Sequence, residues 1–513
     1  MNLCALLDSC DHTVTGDTKD KEIEKLAYHS RDAGAKSVFF ALEGRDTDGS
    51  LYIPQAVSRG CTTIVAAEKS ALTAQSAAAC CRAQGIRPAG ELTVITTGDV
   101  RAAMAAMAAR FYGEPSRGLV VVGITGTKGK TTASYMLWRI LEEAGLKCGI
   151  IGTIASGFGG RLKESVNTTP QSVDLQRMLR EMKDAGLKAV VMEVSSQGLM
   201  QKRTAQIDFD LAVFTNLSPD HIGRGEHESY EEYRYWKSCL FAGAGMALLN
   251  ADDSECAYMA RRSPPEHTYY FGRGDGCDFK LENIRLWSEK SSLGTEYILN
   301  MKTAETDACR LQPVRIGLPG VFNAYNAAAA LSAASLLGVE SEKAARVLTD
   351  IQIPGRTQIV PLQKDFTVMT DYAHNGRALA SLLAALRDYG PHRLIVVFGC
   401  GGQRDKNRRR EMGRAASRLA DVIVVTSDNP RCEDPQAIIA DITRHIAPGR
   451  EVYVIEDRRR AIARALALAE EGDIVVVAGK GHETYQIIGR EKKHFDDREE
   501  ILQLAGTMPA KGE

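Results

Sequence analysis

The stretch GITGTKGKTT, Gly123 to Thr132, joins an apolar run to a segment with helical periodicity. The run before it, Gly118 to Ile124, is rich in β-branched residues and predicts a buried parallel strand, whereas Thr131 to Ala144 predicts an amphipathic helix. A strand, a glycine-rich turn and a helix in this order are typical of an α/β fold. Because glycines let backbone N–H groups turn inward at an anion, the stretch predicts a phosphate-binding loop.

Two side chains of this loop extend the prediction. Lys130 is placed to reach the β- and γ-phosphates of a nucleotide, and the Thr131 hydroxyl to ligate Mg²⁺. The spacing departs from the common pattern G-x-x-x-x-G-K followed by Ser or Thr, because Ile124 stands where the first glycine is expected. A glycine- and threonine-rich connection in some other α/β unit is therefore the alternative.

The length of 513 residues predicts about three domains. A predicted alanine-rich helix, Ala102 to Tyr112, stops at GEPSRG, and a second predicted helix, Leu331 to Ile351, stops at IPGR. We place the two domain boundaries at these two breaks. The predicted domain limits are 1–115, 116–352 and 353–513.

The composition narrows the class of protein. A net charge of −1 with 25% charged residues gives no reason to expect nucleic acid or an acidic membrane surface as a partner. The 12 cysteines are scattered without a C-x-x-C pair, which favours a reduced, cytoplasmic protein over a disulfide scaffold or zinc site. The longest uncharged stretch, Leu318 to Val339, predicts a buried helix rather than a membrane span.

Apolar strands alternate with helical segments in the last third of the chain, as in a parallel sheet with crossover helices. Polar residues follow three of these strands, where ligands gather in such sheets. They are Arg404 and Asp405 after the first strand, Asp428, Asn429 and Arg431 after the second, and Lys480, His482 and Glu483 after the third. Together they predict a site for a small zwitterion, although each alone could be a solvated loop residue.

The central part has a polar set of its own. Glu193 ends one apolar strand, and Asn216, Asp220 and His221 follow another. A carboxylate, an imidazole and the Thr131 hydroxyl are reasonable ligands for nucleotide-bound Mg²⁺, although His221 alone could be structural. Lys237, by sequence alone, is an ordinary lysine on an amphipathic helix.

These motifs together resemble the Mur ligase family, the ATP-dependent amide-forming enzymes of peptidoglycan synthesis. Its phosphate loop has the spacing of Gly123, Gly126, Thr127, Gly129, Lys130 and Thr131. The resemblance covers nearly the whole chain. Its other motifs are Ser30-Arg31, Asp48-Gly49, NTTP at Asn167 to Pro170, MEVSS at Met192 to Ser196, FTNLSPDH ending at His221, PGR at Pro354 to Arg356, DYAH at Asp371 to His374, FGCGG at Phe398 to Gly402, DNPR at Asp428 to Arg431 and GKGHE at Gly479 to Glu483.

The resemblance implies a UDP-binding N-terminal domain, a central P-loop-type ATPase domain with a parallel sheet, and a C-terminal Rossmann-like domain. It implies catalytic roles for Lys130, Glu193, His221 and Lys237, with Lys237 a carbamate that helps Thr131, Glu193 and His221 hold magnesium. The implied ATP contacts are Gly126, Thr127, Gly129, Lys130, Thr131, Thr132, Asn323, Arg356 and Asp371. The implied UDP-N-acetylmuramoyl-dipeptide contacts are Ser30, Thr168, Thr169, Ser195 and Arg203, and the implied amino-acid contacts are Arg404, Asp428, Asn429, Arg431, Gly479 and Glu483. We expect a cytoplasmic monomer that uses ATP and Mg²⁺.

The DNPR motif resembles members that add meso-diaminopimelate, whereas lysine-adding members differ there. Four sites depart from the family pattern: Lys128, Gln197, Asn375-Gly376-Arg377 and Gln403. A lysine-adding enzyme or a divergent paralogue thus stays an alternative. So do a plain P-loop ATPase and a non-catalytic nucleotide-binding regulator.

Overall fold

The computed structural model describes residues 1–44, 47–220, 222–223, 226–289, 291–303 and 306–506. Their contacts form two compact units. The first contains residues 1–134 and 145–270, and the second contains residues 135–144 and those from 271 onward. The predicted limits of the three domains stay a prediction.

The N-terminal part of the first unit is a small α/β layer. Its elements are α1 Leu3–Leu7, β1 Thr13–Thr15, β2 Lys25–Ala27, β3 Ser37–Phe40, α2 Ile53–Ser58, β4 Thr63–Ala67, α3 Ala74–Ala83, β5 Thr93–Thr97 and α4 Val100–Phe111. The strand order is β1-β5-β4-β3-β2, and only β1 runs antiparallel to its neighbour. The helix predicted over Ala102 to Tyr112 is confirmed as α4.

The rest of the first unit is built around a largely parallel sheet. Its elements are β6 Val120–Thr125, α5 Lys130–Glu143, β7 Cys148–Ile151, β8 Ala155–Gly157, β9 Lys163–Glu164, α6 Ser172–Asp184, β10 Ala189–Glu193, α7 Ser196–Met200, β11 Leu211–Phe214, α8 Tyr230–Ser238, β12 Met246–Asn250, α9 Cys256–Ala260 and β13 Thr268–Gly272. The chain passes into the second unit within α5, returns, and leaves again within β13. The order β12-β11-β6-β10-β7 is parallel throughout, with β8 and β9 added antiparallel.

This order decides which side chains reach the phosphate loop. Strand β6 leads into the loop and lies between β10 and β11, with Glu193 opposite Ile124 and Phe214 opposite Thr125. Since parallel strands end at the same edge of the sheet, Glu193 and the residues after Phe214 lie beside the loop. The predicted strand, loop and helix are confirmed.

The second unit begins with three long antiparallel strands and continues as an α/β layer. Its elements are β14 Phe279–Glu289, β15 Ser292–Thr303, β16 Thr306–Ile316, α10 Val321–Leu336, α11 Ser341–Thr349, β17 Gln358–Val360, β18 Thr367–Asp371, α12 Gly376–Arg387, β19 Leu394–Phe398, α13 Asn407–Leu419, β20 Val422–Val425, α14 Pro435–Thr443, β21 Glu451–Val454, α15 Arg458–Leu468, β22 Ile474–Ala478, β23 Tyr485–Ile488, β24 Glu491–His494 and α16 Asp497–Leu504. The second sheet has the order β17-β18-β22-β19-β20-β21, and only β17 is antiparallel. The parallel sheet predicted for this region is confirmed.

One helix prediction was wrong. The sequence predicted a single helix over Leu331 to Ile351, but α10 ends at Leu336 and α11 starts at Ser341. Gly338 lies between them with φ of 81°, a left-handed conformation that ends a helix at little cost for glycine. Of the helices in the described part of the chain, none has both the length and the apolar character that crossing a membrane requires.

Candidate active site

The phosphate loop is fixed by the residues that follow β11. The Asn216 carbonyl accepts from Thr127 N at 2.8 Å, and its side-chain oxygen accepts from Lys128 N at 3.0 Å. The Thr215 hydroxyl donates to the Lys128 carbonyl at 2.7 Å. Gly126 has φ of 152°, and a Cβ there would overlap the Thr215 hydroxyl, so only glycine fits. The sequence correctly predicted Asn216 beside the loop.

Lys130, the first residue of α5, folds back over this loop. Its Nζ donates to the carbonyls of Gly126 at 2.8 Å and Thr127 at 3.1 Å. The cation therefore lies on the same loop that the glycines open to an anion. That Lys130 reaches the phosphates of a nucleotide from this position stays a prediction.

Glu193 forms a buried oxygen cluster with Thr131 and Thr153. The Thr131 hydroxyl donates to Glu193 Oε2 at 2.8 Å, while Thr153 donates its amide to Oε1 at 2.7 Å and its hydroxyl to Oε2 at 3.0 Å. The Glu193 side chain has no solvent exposure. A hydroxyl in the first turn of α5 and a carboxylate at the end of β10 are hard oxygen ligands, so these residues fit Mg²⁺.

The structure describes only part of the predicted magnesium site. His221 lies outside the described residues. Within the described residues, no group of three or more His, Cys, Asp or Glu side chains forms a metal cage. Magnesium is commonly held by one or two carboxylates together with substrate phosphates and water, so a single carboxylate beside the Thr131 hydroxyl is compatible with the predicted magnesium site.

Lys237 is buried, although by sequence alone it is an ordinary lysine on an amphipathic helix. The residue is 2% exposed, and its Nζ donates to the Gly126 carbonyl at 2.7 Å and lies 4.8 Å from the centre of the Tyr233 ring. Tyr233 and Lys237 are one turn apart on α8, and both face inward. Burial, aided by the nearby charge of Lys130, lowers the pKa of Lys237 well below its ordinary value. The amine therefore loses its proton more readily than a surface lysine.

A cavity of about 1700 Å³ lies in the first unit. Ser30 and Asn167 line it, which puts the residue before Thr168 at its wall. Tyr28, Arg101 and Asp174 are among the lining residues that the sequence analysis did not single out. The Tyr28 hydroxyl donates to Asp174, while Arg101 Nη2 donates to the Glu43 carbonyl at 2.8 Å.

The remaining predicted contacts for the muramoyl substrate form one network with Glu193. The Thr169 hydroxyl donates to the Glu193 carbonyl at 2.9 Å and to the Ser195 hydroxyl at 3.2 Å. Arg203 Nη1 donates to the Thr169 carbonyl at 2.7 Å, and the Thr168 hydroxyl lies 3.1 Å from that of Thr153. The structure thus brings Thr168, Thr169, Ser195 and Arg203 together beside the carboxylate of the predicted magnesium site.

The predicted nucleotide contacts of the second unit meet at Thr357. Its amide donates to Asp371 Oδ2 at 2.7 Å, and its hydroxyl accepts from Asn323 Nδ2 at 3.2 Å. The Arg356 guanidinium lies 4.9 Å from the centre of the Tyr372 ring. Asn323, Arg356 and Asp371 therefore belong to one local cluster.

A second polar cluster lies at the carboxyl ends of β20 and β22. The buried Lys480 ammonium is 3.2 Å from Asn429 Oδ1, 3.5 Å from Asp428 Oδ1 and 3.6 Å from Glu483 Oε2. Asn429 Nδ2 donates to Glu483 Oε2 at 2.8 Å. Burial, followed by the charge of Asp428, raises the pKa of Glu483. Two carboxylates around one ammonium leave negative charge available for a second ammonium from a ligand.

Arg431 lies beside this cluster, where it pairs with Ile488 in an isolated parallel bridge, and α14 begins only at Pro435. It has φ of 54°, and its Nη1 donates to the Gly402 carbonyl at 2.9 Å. A Cβ at Gly401 would lie 3.0 Å from Arg431 Nη1 and 3.7 Å from Arg404 Cγ. The two predicted arginines thus flank the same glycine, and together they can meet an anion.

One of the departures from the family pattern has a local structural reason. Asn375 caps α12 by accepting from Ala378 N at 2.9 Å, and Gly376 leaves space for Glu411, which a Cβ would overlap. The backbone N–H of Gln403 donates to Glu433 and its φ is 54°, neither of which requires a glutamine side chain. Nothing in the structure explains Gln197.

The protein-family comparison matches three consecutive regions. The family model for the Mur ligase catalytic domain covers residues 22–112, the middle-domain model covers 124–334, and the glutamate ligase domain model covers 355–481.

Relatives are similar over almost the full length. The UDP-N-acetylmuramoyl-L-alanyl-D-glutamate–2,6-diaminopimelate ligases of Caldanaerobacter subterraneus and Clostridium botulinum are each 38% identical over 98% of this chain and 99% of their own. A solved structure of a ligase with the same name is 28% identical, with a TM-score of 0.65 over 96% of both chains. This chain belongs to the Mur ligase family.

Proposed function

We propose that the protein is an ATP-dependent ligase that joins meso-diaminopimelate to UDP-N-acetylmuramoyl-L-alanyl-D-glutamate, forming ADP and phosphate. The cluster of Asp428, Asn429, Lys480 and Glu483 carries the proposal. A plain ATPase or a nucleotide-binding regulator would not need this cluster of charged groups, which suits a zwitterionic second substrate. The names of the relatives supply the identity of the substrates.

The first step activates the D-glutamate carboxylate. Lys130 and the loop amides hold the phosphates of ATP while a carboxylate oxygen attacks the γ-phosphorus, and the bond to the β-phosphate oxygen breaks. The products are ADP and an acyl phosphate. Thr131 and Glu193, with His221 and a carbamate on Lys237, would hold Mg²⁺, which neutralises charge on the transferring phosphoryl group when bound.

The second step forms the amide. Asp428 and Glu483 hold the ammonium of the incoming amino acid, and the arginines hold its carboxylate. The attacking amine first gives up a proton to water and then bonds to the acyl carbon. The tetrahedral intermediate collapses as the bond to phosphate breaks, and the nitrogen loses its second proton to water. Thr168, Thr169, Ser195 and Arg203 orient the muramoyl-dipeptide, whose UDP end occupies the cavity at Ser30.

Phosphate release tests this proposal against its rivals. We expect release that requires ATP, UDP-N-acetylmuramoyl-dipeptide and a diamino acid together. Release from ATP alone at the same rate would favour a plain ATPase, and absence of release under every condition would favour a regulator. That the protein is a monomer stays a prediction, which light scattering can check. That it is cytoplasmic also stays a prediction, which cell fractionation can check.

Lys237 gives a separate prediction about the carbamate. We expect Lys237→Ala to lose ligation and a short-chain carboxylic acid to restore part of it, because the acid supplies the missing anion to the metal. A short alkylammonium of equal size is the control and should restore nothing. Lys237→Arg should be inactive, since a guanidinium cannot form this carbamate. Rescue by the ammonium, or an active arginine variant, would contradict the carbamate.

A further inference from the structure

Arg458 and Asp497 form an ion pair that is entirely buried. Both side chains have 0% exposure, and the contacts from Nε to Oδ1 and from Nη2 to Oδ2 are each 2.7 Å. Arg458 begins α15 and Asp497 begins α16. Burying two charges costs several kcal/mol of desolvation per ion, so apolar residues of similar volume often stabilise such a site at least as well. Helix packing alone therefore does not account for this pair.

The guanidinium has further donors, and these reach the sheet. Nη2 donates to the Ala478 carbonyl at 3.1 Å, and Nη1 donates to the Ser427 carbonyl at 3.4 Å. Ala478 ends β22 and Ser427 lies two residues after the end of β20, and these strands are not neighbours because β19 lies between them. One rigid, planar group thus ties together two strand ends that share no backbone hydrogen bonds.

The two carbonyls that Arg458 binds belong to residues just before the cluster of Asp428, Asn429, Lys480 and Glu483. Ser427 precedes Asp428 and Asn429, and Ala478 precedes Gly479. Burial opposes the charge of Arg458, but Asp497, and then Asp428 and Glu483, raise its pKa. The cation is therefore held in place and contributes to the potential at both carboxylates of the cluster.

On the basis of the proposed function, we propose that Arg458, held by Asp497, is a positioning residue for the amino-acid substrate. It fixes the separation between the Asp428 and Asn429 side of the pocket and the Gly479 and Glu483 side. It contacts neither the substrate nor the nucleotide. Its effect therefore falls on binding and orientation of the amino acid, and not on ATP.

The chain provides a control at the amino ends of β19 and β22, in an ion pair whose arginine side chain is 25% exposed. Arg393 precedes β19, donates to the unexposed Asp473 at 2.7 Å and to the Leu468 carbonyl at 2.8 Å, and is far from any predicted substrate contact along its strand. It is also an arginine that binds a buried carboxylate and a backbone carbonyl. Its loss reports what such a pair contributes to stability alone.

The test compares Arg458→Lys and Arg458→Met with Arg393→Lys and Arg393→Met in the full chain. For Arg458→Lys we expect KM for meso-diaminopimelate to rise about 10- to 100-fold, because lysine cannot make all four contacts. KM for ATP should stay within about twofold. Arg458→Met should raise KM for the amino acid further. Both Arg393 variants should lower Tm without raising KM for the amino acid.

The outcomes separate the two proposals. If the wild type shows no ligation with all three substrates, the proposed function is wrong. If the wild type ligates and Arg458→Lys leaves KM for the amino acid unchanged, the positioning role is wrong. The same conclusion follows if Arg393→Lys raises KM equally. Should Arg458→Met fail to fold, as near-UV circular dichroism would show, Arg458→Lys decides alone.

Discussion

Replacing Lys130 with alanine should lower kcat for ligation about 1000-fold, because it removes a cation from the phosphoryl group in the transition state. The two hydrogen bonds that Lys130 makes to loop carbonyls contribute only about 1 kcal/mol each to folding, so Tm should change little. Steady-state ADP formation with all substrates, together with a thermal melt, measures both effects.

Lys128 is the matched control for this prediction. It lies in the same loop and carries the same charge, but its side chain is exposed. We expect Lys128→Ala to keep kcat within about threefold of the wild type. Equal losses in the two variants would mean that only the general positive charge of the loop matters. Near-normal turnover in Lys130→Ala would contradict the assignment of the loop.

Replacing Arg431 with alanine should change the choice of amino acid. Meso-diaminopimelate and lysine share an α-amino acid end and a distal amine, but only diaminopimelate has a distal carboxylate. An arginine can bind this group through two parallel hydrogen bonds, and losing them costs about 2 to 4 kcal/mol, or roughly 30- to 1000-fold in kcat/KM. With lysine as substrate, the variant should change little.

One feature of the structure and one control variant make this experiment easy to interpret. Arg431 has a left-handed φ of 54°, which alanine tolerates no better and no worse than arginine, so the backbone is not relieved by the change. Arg404→Ala is the control, because we expect it to lower kcat/KM for both amino acids. An unchanged ratio of the two kcat/KM values in Arg431→Ala would mean that Arg431 does not read the distal carboxylate.

The sequence predicted those parts of the site that depend on strand ends. Glu193 ends a continuous apolar run and Asn216 follows another, and residues in such positions meet at one edge of a parallel sheet. The same reasoning brought Asp428, Asn429 and Lys480 together. In each case a short apolar pattern predicts a strand and therefore the position of the residue at its end. The order of the strands in the sheet then brings these ends together.

Other features depend on packing that no local pattern reveals. The burial of Lys237 follows from how α8 packs on the phosphate loop, because its sequence alone allows the lysine to face solvent. Tyr28, Arg101 and Asp174 line one cavity although they come from distant parts of the chain. The break at Gly338 was missed because helical periodicity continues on both sides of it.

The mass of the product tests the central claim most directly. Pure protein is incubated with ATP, Mg²⁺, UDP-N-acetylmuramoyl-L-alanyl-D-glutamate and an equimolar mixture of meso-diaminopimelate and lysine, and the nucleotide-sugar fraction is weighed by mass spectrometry. We predict one new species, heavier than the dipeptide substrate by one diaminopimelate minus one water, formed in step with ADP. A lysine adduct as the main product, or ADP formation with the substrate mass unchanged, would contradict the account.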